Sequence, residues 1–260
     1  MKTALPVITL AARGEGPTAT ADIRLKVGEQ PVHLQVTVPT SDVALRDVLP
    51  VFQGFANVVM DVAEGAVQRE GKSVSCRKGC GACCRQVVPI APSEAHALAR
   101  LVEALPEPRR SHVRERFADA RRRLDAAELG DVFRKVDESF DSAARGLEYF
   151  RLGIACPFLE EESCSIHPDR PVACREYLVT SPAENCSNPS PETVQCVPLP
   201  AKVGRAARAV EWATTRAAQG WLPLVLALEW AESHPEPAPR PGPAWVKEFF
   251  EWLAKGEITA

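Results

Sequence analysis

Cys76-Arg77-Lys78-Gly79-Cys80-Gly81-Ala82-Cys83-Cys84 places four thiols in one short run, and five more follow at Cys156, Cys164, Cys174, Cys186 and Cys196. The small residues between the sulfurs leave little backbone bulk, so several thiolates can converge on one small volume. A disulfide framework is the competing reading. Nine cysteines is an odd number, the chain is far from small, and disulfides are rare in reducing compartments. The spacing therefore points to metal. The late cysteines sit in a Pro-rich, turn-rich region, which suits ligand loops better than helices.

The 260 residues suffice for one large domain or two small ones, with a sizeable core. At 45% hydrophobic and 25% charged, with a net charge of −3, the composition is that of an ordinary soluble globular protein. An isoelectric point near 6.0 gives no reason to expect nucleic acid as a partner. The first twelve residues faintly resemble an export signal, but their apolar run is short, contains Pro6 and lacks a small-x-small cleavage site before Arg13. No stretch approaches the apolar length that spans a bilayer, so no membrane partner is expected, and the expected location is the cytoplasm.

Outward from the cysteines the periodicities are clear. Ile23, Leu25 and Val27, then Val32, Leu34, Val36 and Val38, alternate on either side of Gly28-Glu-Gln, which predicts a β-hairpin over 21–38. Thr40-Ser41-Asp42 offers N-caps for a helix reaching about Gln68, with Val48, Leu49, Phe52, Phe55, Val59 and Val62 as its apolar stripe. Pro50 is expected to kink it or start a new segment. Between Cys84 and Cys156 lies a cysteine-free helical insert: one helix opens at Ser93-Glu94 and ends at Pro106-Glu-Pro108, and two more run to about Tyr149. A helical stretch from Lys202 to Glu232 reads as two pieces, closed by Gly220 and reopened with Pro223 in the first turn, with Trp212, Trp221, Val225, Leu228 and Trp230 as core candidates. Prolines at every second position from Pro235 to Pro243 predict an extended strap. Trp245, Phe249, Trp252 and Leu253 then fall at helical spacing for a final docking helix.

The expected fold is mainly α with an N-terminal β-hairpin and long metal-ligating loops. Residues 1–40 would form the hairpin region packed on the core, 41–233 the α-helical cysteine-cluster domain with its insert at about 92–150, and 234–260 the strap and docking helix.

Cys76-x3-Cys80-Gly-Ala-Cys83-Cys84, then Cys156-Pro-Phe-Leu, then Cys164-Ser-Ile-His167-Pro-Asp-Arg170-Pro171-Val-Ala-Cys174-Arg175, resembles the YkgJ-like cysteine-cluster family of zinc- or iron-chelating domains over roughly residues 73–190. The resemblance implies Cys76, Cys80, Cys83, Cys84, Cys156, Cys164, Cys174 and Cys186 as metal ligands. Cys196, on the edge of the pattern, is either a further ligand or a buried thiol. His167 stands where many relatives carry Tyr; it is either a ligand or a hydrogen-bond donor to a thiolate. Arg170 and Arg175 flank Cys174, and beside the ligating sulfurs their guanidinium charge would offset that of the thiolates and tune the site.

The pattern is shared with flagellin lysine N-methylases, which are iron–sulfur proteins, so the resemblance implies an iron–sulfur cluster, with Zn2+ as the alternative. Only one C-x2-C pair is present, Cys80 with Cys83, whereas structural zinc usually shows two such knuckles; the spacing leans the same way. In an extended segment adjacent side chains point to opposite sides, so Cys83 and Cys84 are expected to serve two centres, or to bridge metals, with early and late cysteines mixed in each.

Other signals fail. Gly71-Lys72-Ser73 resembles the end of a phosphate loop, but position 66 is Ala and a helix precedes it. Gly14-x-Gly16 has Ala19 in place of the third glycine and no strand before it. The arginines at 109–123 are interleaved with Val113, Phe117, Glu115 and Asp119, which reads as a solvated amphipathic face. Glu160-Glu-Glu162 reads as a solvated loop.

Three classes of function fit: a cluster used for redox or group-transfer chemistry on a protein or small molecule (an iron–sulfur transferase or oxidoreductase), a metal storage or delivery protein, and a structural zinc domain. Metal ions are the expected partners. Any substrate pocket should lie between the cysteine loops and the helical insert, because the insert separates the two ligand groups and must fold back beside them.

Overall fold

The computed structural model describes residues 6–135, 142–215 and 220–255. The hairpin is present: β2 (Thr18–Val27) and β3 (Gln30–Pro39) pair antiparallel, Val27 opposite Gln30. Gly28 turns the chain at φ +58°, a conformation glycine adopts without steric cost. A strand with no period-two signal of comparable strength, β1 (Val7–Ala11), pairs parallel to the other edge of β3, giving the order β1-β3-β2. Val32, Leu34, Val36 and Val38 of β3 are buried and alternate with half-exposed His33, Gln35 and Thr37, so the sheet has one wet face and one packed face.

That packed face meets α1 (Leu45–Arg69). The predicted caps are not used. Ala44 stands at the helix start with no side-chain hydrogen bond, and Asp42–Val43 instead pair with Arg240–Pro241, which ties the C-terminal strap to the segment leading from the sheet into α1. Pro50 neither ends nor restarts α1. The buried stripe Val48, Leu49, Phe52, Phe55 and Val59 lies on both sides of it, and burying that stripe outweighs one lost backbone bond. Val62 is partly buried against the same core.

The insert supplies α2 (Pro92–Glu103), α3 (Arg109–Ala126), α4 (Gly130–Arg134) and α5 (Ser142–Arg151). Where two helices were expected between Pro108 and about Tyr149, three are described, and residues 136–141 between the last two lie outside the described residues. After the cysteine loops come a one-turn helix, α6 (Val172–Arg175), then α7 (Val203–Thr215), α8 (Ala227–Ser233) and α9 (Gly242–Lys255). Pro223 does not open α8: it lies before it, in a two-residue ladder with Pro89. A proline fits there because it needs no helical N–H. Residues 216–219, between the end of α7 and Gly220, lie outside the described residues, so closure of that helix by Gly220 is not described. Trp212 is 54% exposed and not part of the core, while Val225 is buried and Trp221, Leu228 and Trp230 are partly so.

Two apolar clusters dominate. One joins β3, α1, α7 and α9, where Phe249 stacks on Phe52 with ring centroids 3.9 Å apart and buried Trp245 donates from Nε1 to the Val43 carbonyl at 3.0 Å. The other joins α2 and α3 to Phe158, Ile166, Leu222 and Leu224, with Cys156 and Cys164 packed against it. Among the described residues no helix is long and apolar enough to cross a membrane.

Candidate metal centre

The early cysteines follow α1 on a chain that is turned rather than extended. Gly79, at φ +85°, permits the turn in which the Cys80 N–H bonds the Arg77 carbonyl at 3.2 Å. Gly81 has no room for a side chain: a Cβ there would stand 2.7 Å from Leu159 Cδ1. Residues Ala82–Arg85 then form a 3-10 turn, closed by Cys84 N–H to Gly81 O at 3.0 Å. This corrects the expectation of an extended Cys83-Cys84. Successive side chains of a 3-10 turn diverge by about 120° rather than pointing oppositely. Here the two thiols also hydrogen-bond to each other.

The link to the late cysteines is direct, because the Cys156 N–H donates to the Cys84 carbonyl at 2.7 Å. Leu159–Glu160 and Ser163–Cys164 form a tight hairpin turning at Glu161 and Glu162, both at positive φ. The acidic triplet is thus a structural turn rather than a merely solvated loop. Glu162 grips Arg85 of the early group at 2.6 and 2.9 Å, and Glu160 lies 3.3 Å from Arg116 of α3.

Cys174 is carried on α6, and its frame is a set of buried charges. Glu94, 4% exposed, accepts from Ala91 N–H and from Val172 N–H, each at 2.8 Å, joining the start of α2 to the start of α6. Arg175, 7% exposed, donates to the carbonyls of Arg170 (3.0 Å) and Pro168 (2.5 Å) and to Asn57 Oδ1 on α1 (3.1 Å). Glu176 accepts from the Val203 and Gly204 N–H groups at 2.6 and 3.1 Å and so fixes the start of α7. Beyond it, residues 178–180 run beside both 195–197 and Ser75. Val179 bridges Cys196, Val197 N–H bonds Leu178 O at 2.8 Å, and Ser75 N–H bonds Val179 O at 2.9 Å. Cys186 lies on a 3-10 turn, Ala183–Ser187, that packs against the Cys83-Cys84 turn.

The charges that the thiols feel divide them into two sets. Cys84 feels Cys83, Cys156 and Cys174; Cys174 feels Cys156, Cys164 and Cys83; Cys156 feels Cys164 and Cys83. Cys76 feels Cys83, Cys80 and Cys196, while Cys186 feels Cys76, Cys80, Cys83 and Cys196. Together with the backbone pairings, Cys156 on Cys84 and Val179 on both Ser75 and Cys196, these neighbours sort Cys84, Cys156, Cys164 and Cys174 into an inner set and Cys76, Cys80, Cys186 and Cys196 into an outer one, with Cys83 acting on both. Burial pushes Cys156 up to about 12 and Cys174 well above the ordinary thiol range. Cys83 goes the other way, to about 7, chiefly because the Cys84 thiol donates to it, with Arg170 adding a favourable charge. The Cys84 thiol is correspondingly held protonated.

All nine cysteines are free, and among the described residues no three His, Cys, Asp or Glu side chains are already drawn together as a finished metal shell. The donor chemistry nevertheless fits zinc or iron. Crowded thiols that burial holds protonated are released as thiolates only by a cation that takes the proton's place.

Arg170 acts on Cys83 and Cys164, and Arg175 on Cys164 and Cys174. His167 is exposed, and the charges acting on it are those of Arg170 and Arg175 rather than any thiol. Sequence reasoning missed Glu94 and Glu176 as supports of the site. It also missed Tyr177, whose hydroxyl accepts from Gln86 Nε2 at 3.2 Å and hydrogen-bonds Cys196. Glu94 left one trace, its place at the opening of a predicted helix. A cleft of about 600 Å³ opens between α3 and residues 154–159, lined by Arg116, Asp119, Arg123, Ala155 and Cys156. It lies where a substrate pocket was expected, between the insert and the cysteine loops.

Residues 75–197 match the CxxCxxCC family, described as "Putative zinc- or iron-chelating domain". The matched stretch begins one residue before Cys76 and ends one residue after Cys196. No curated protein and no solved structure matches the chain.

Proposed function

From the cysteine-cluster domain carried by residues 75–197, we propose that the chain is a thiolate metalloprotein with two linked centres that share the Cys83-Cys84 turn. Metal binding is the coarse function; the finer one is supported by the backbone links of Cys84 to Cys156 and of Cys196, through Val179, to Ser75 beside Cys76, with which the neighbouring thiol charges agree. Each set draws on both ends of the cysteine pattern. The inner set takes Cys84 with Cys156, Cys164 and Cys174; the outer takes Cys76 and Cys80 with Cys186 and Cys196. Four thiolates suit either a tetrahedral zinc or an iron–sulfur cluster. The single C-x2-C pair favours iron–sulfur as the resident group, with Zn2+ as the alternative.

When bound, an iron–sulfur group would supply one-electron chemistry beside the cleft. This chain's own residues do the rest. Cys156 belongs to both the inner set and the cleft wall, Arg116 and Arg123 offer charge to a substrate, and the apolar floor of Ile154, Ala155 and Pro157 sheds water. Redox or group-transfer chemistry on a small molecule or a protein side chain is the activity this arrangement supports.

Metal, sulfide and protein should be counted on anaerobically purified material. More than one metal ion per chain is expected, with labile sulfide and charge-transfer absorption if the group is iron–sulfur. A single metal ion ligated by a sequence-local subset of cysteines would refute the two-centre reading.

A further inference from the structure

The two thiol sets differ in what surrounds them. The segments that carry the late thiols of the inner set are largely buried: Pro157 and Phe158 beside Cys156, Ile166 beyond Cys164, and Pro171, Val172 and Arg175 around Cys174. Two of its thiols pack against the apolar cluster of α2 and α3, and its loop is held by the buried side chains of Glu94 and Arg175. The outer set is carried on segments open to water. Arg77, Lys78 and Gly79 between Cys76 and Cys80 are exposed, as are Ser187 and Asn188 after Cys186, and Gln195. Cys196 is itself exposed, whereas Cys186 behind it is buried. The loop 187–195 is pinned by exposed polar bonds, Asn185 to the Thr193 carbonyl at 2.7 Å and Ser190 with Thr193 at 3.1 Å. Such bonds open locally at little cost, and an exposed thiolate can be replaced by an incoming ligand without unfolding the domain.

On the two-centre reading above, we propose that the outer set is an exchangeable site, where a thiophilic cation passes to or from an external thiol or chelator, while the inner set holds its metal inert. Exchange begins at Cys196. Its sulfur–metal bond breaks as an external donor binds the metal, and the freed thiolate takes up a proton. Cys80 and Cys76 follow, and buried Cys186 is the last of the set to let go. Tyr177, bonded to Cys196, is placed to hold that thiol when the metal has left.

The test uses the intact, anaerobically purified protein exposed to excess EDTA, with the retained metal measured over time by desalting and elemental analysis. Two phases are expected, the fast one removing the outer equivalents at a rate at least about tenfold above the slow one. Pulse alkylation with iodoacetamide and peptide mapping, on the same samples, should label Cys76, Cys80 and Cys196 in the fast phase and leave Cys156 and Cys174 unlabelled. The Cys196→Ser variant should lose the fast phase and retain the slow one. If that variant fails to fold, the kinetics and labelling of the unmodified chain still decide. Two metal equivalents leaving together at one rate, or early labelling of Cys156 or Cys174, overturn the exchangeable site and leave the two centres standing. A protein that holds a single metal ion from the outset overturns both.

Discussion

On the two-centre proposal, Cys83 is the residue on which the two thiol sets converge, and Cys84 beside it belongs to one of them. Changing either to serine should therefore do different damage. Cys83→Ser is expected to lower metal content at both centres, whereas Cys84→Ser should deplete the inner one and leave the outer one loaded. Elemental analysis of the two variants checks this, and equal losses from both would contradict the sorting. Glu211 offers a test free of metal. Burial lifts its carboxyl from the usual 4.5 to about 7 while its Oε2 accepts from the Ser93 N–H at 2.7 Å. The folded chain thus takes up this proton more readily than the unfolded one. The associated stability is full below about pH 4.5 and is lost as pH rises through about 7, by up to ~3 kcal/mol. In metal-free protein, Glu211→Gln should flatten the stability profile between those limits, as read from urea unfolding at several pH values. At this scale the sequence was most informative where side-chain type alone decides the chemistry, as with the cysteines. It was silent on Glu94, Glu176 and Tyr177, because their roles come from partners 78, 27 and 91 positions away in the chain.

At the scale of elements, the periodic segments were legible and the turns were not. The alternation of β2 and β3 and the stripe of α1 survive in the structure because each needs only one apolar partner surface. Strand β1 escaped because its burial is confined largely to Leu10, so its five residues carry little alternation. Pro50 starts no new segment and Pro223 lies before α8 rather than in it, because a proline's cost depends on whether its missing N–H was needed, and that is a tertiary matter. The short α6 is an element whose own propensity cannot sustain it. Arg175 holds it, and Arg175→Leu should destabilise the metal-free protein by about 3 kcal/mol, since it strips three acceptors of a buried charged donor. Denaturant unfolding would measure this, and a change within about 0.5 kcal/mol, as at an ordinary surface site, would show the clamp to be unimportant. Metal removal should loosen residues 73–90 and 154–197 while α2 and α3 stay protected, because those helices have an apolar cluster of their own and the ligand loops do not. Hydrogen exchange followed by mass spectrometry reads this directly, and uniform protection after metal removal would count against it.

Across the whole molecule, the chain order is sheet, long helix, early thiols, insert, late thiols, closing helices. The insert leaves the site at Cys84 and returns to it at Cys156 through a single backbone hydrogen bond. On the ribosome this order has a cost. The first four thiols emerge while Cys196 is still more than a hundred residues from being made, an interval on the order of ten seconds at ordinary rates of synthesis. The helices of the insert can pack on one another during that time, but neither of the two proposed thiol sets has its full complement of donors. Loading must then wait until Cys174 and Cys196 have emerged, and a nascent chain stalled within the insert would display unligated sulfurs to whatever oxidant the compartment holds.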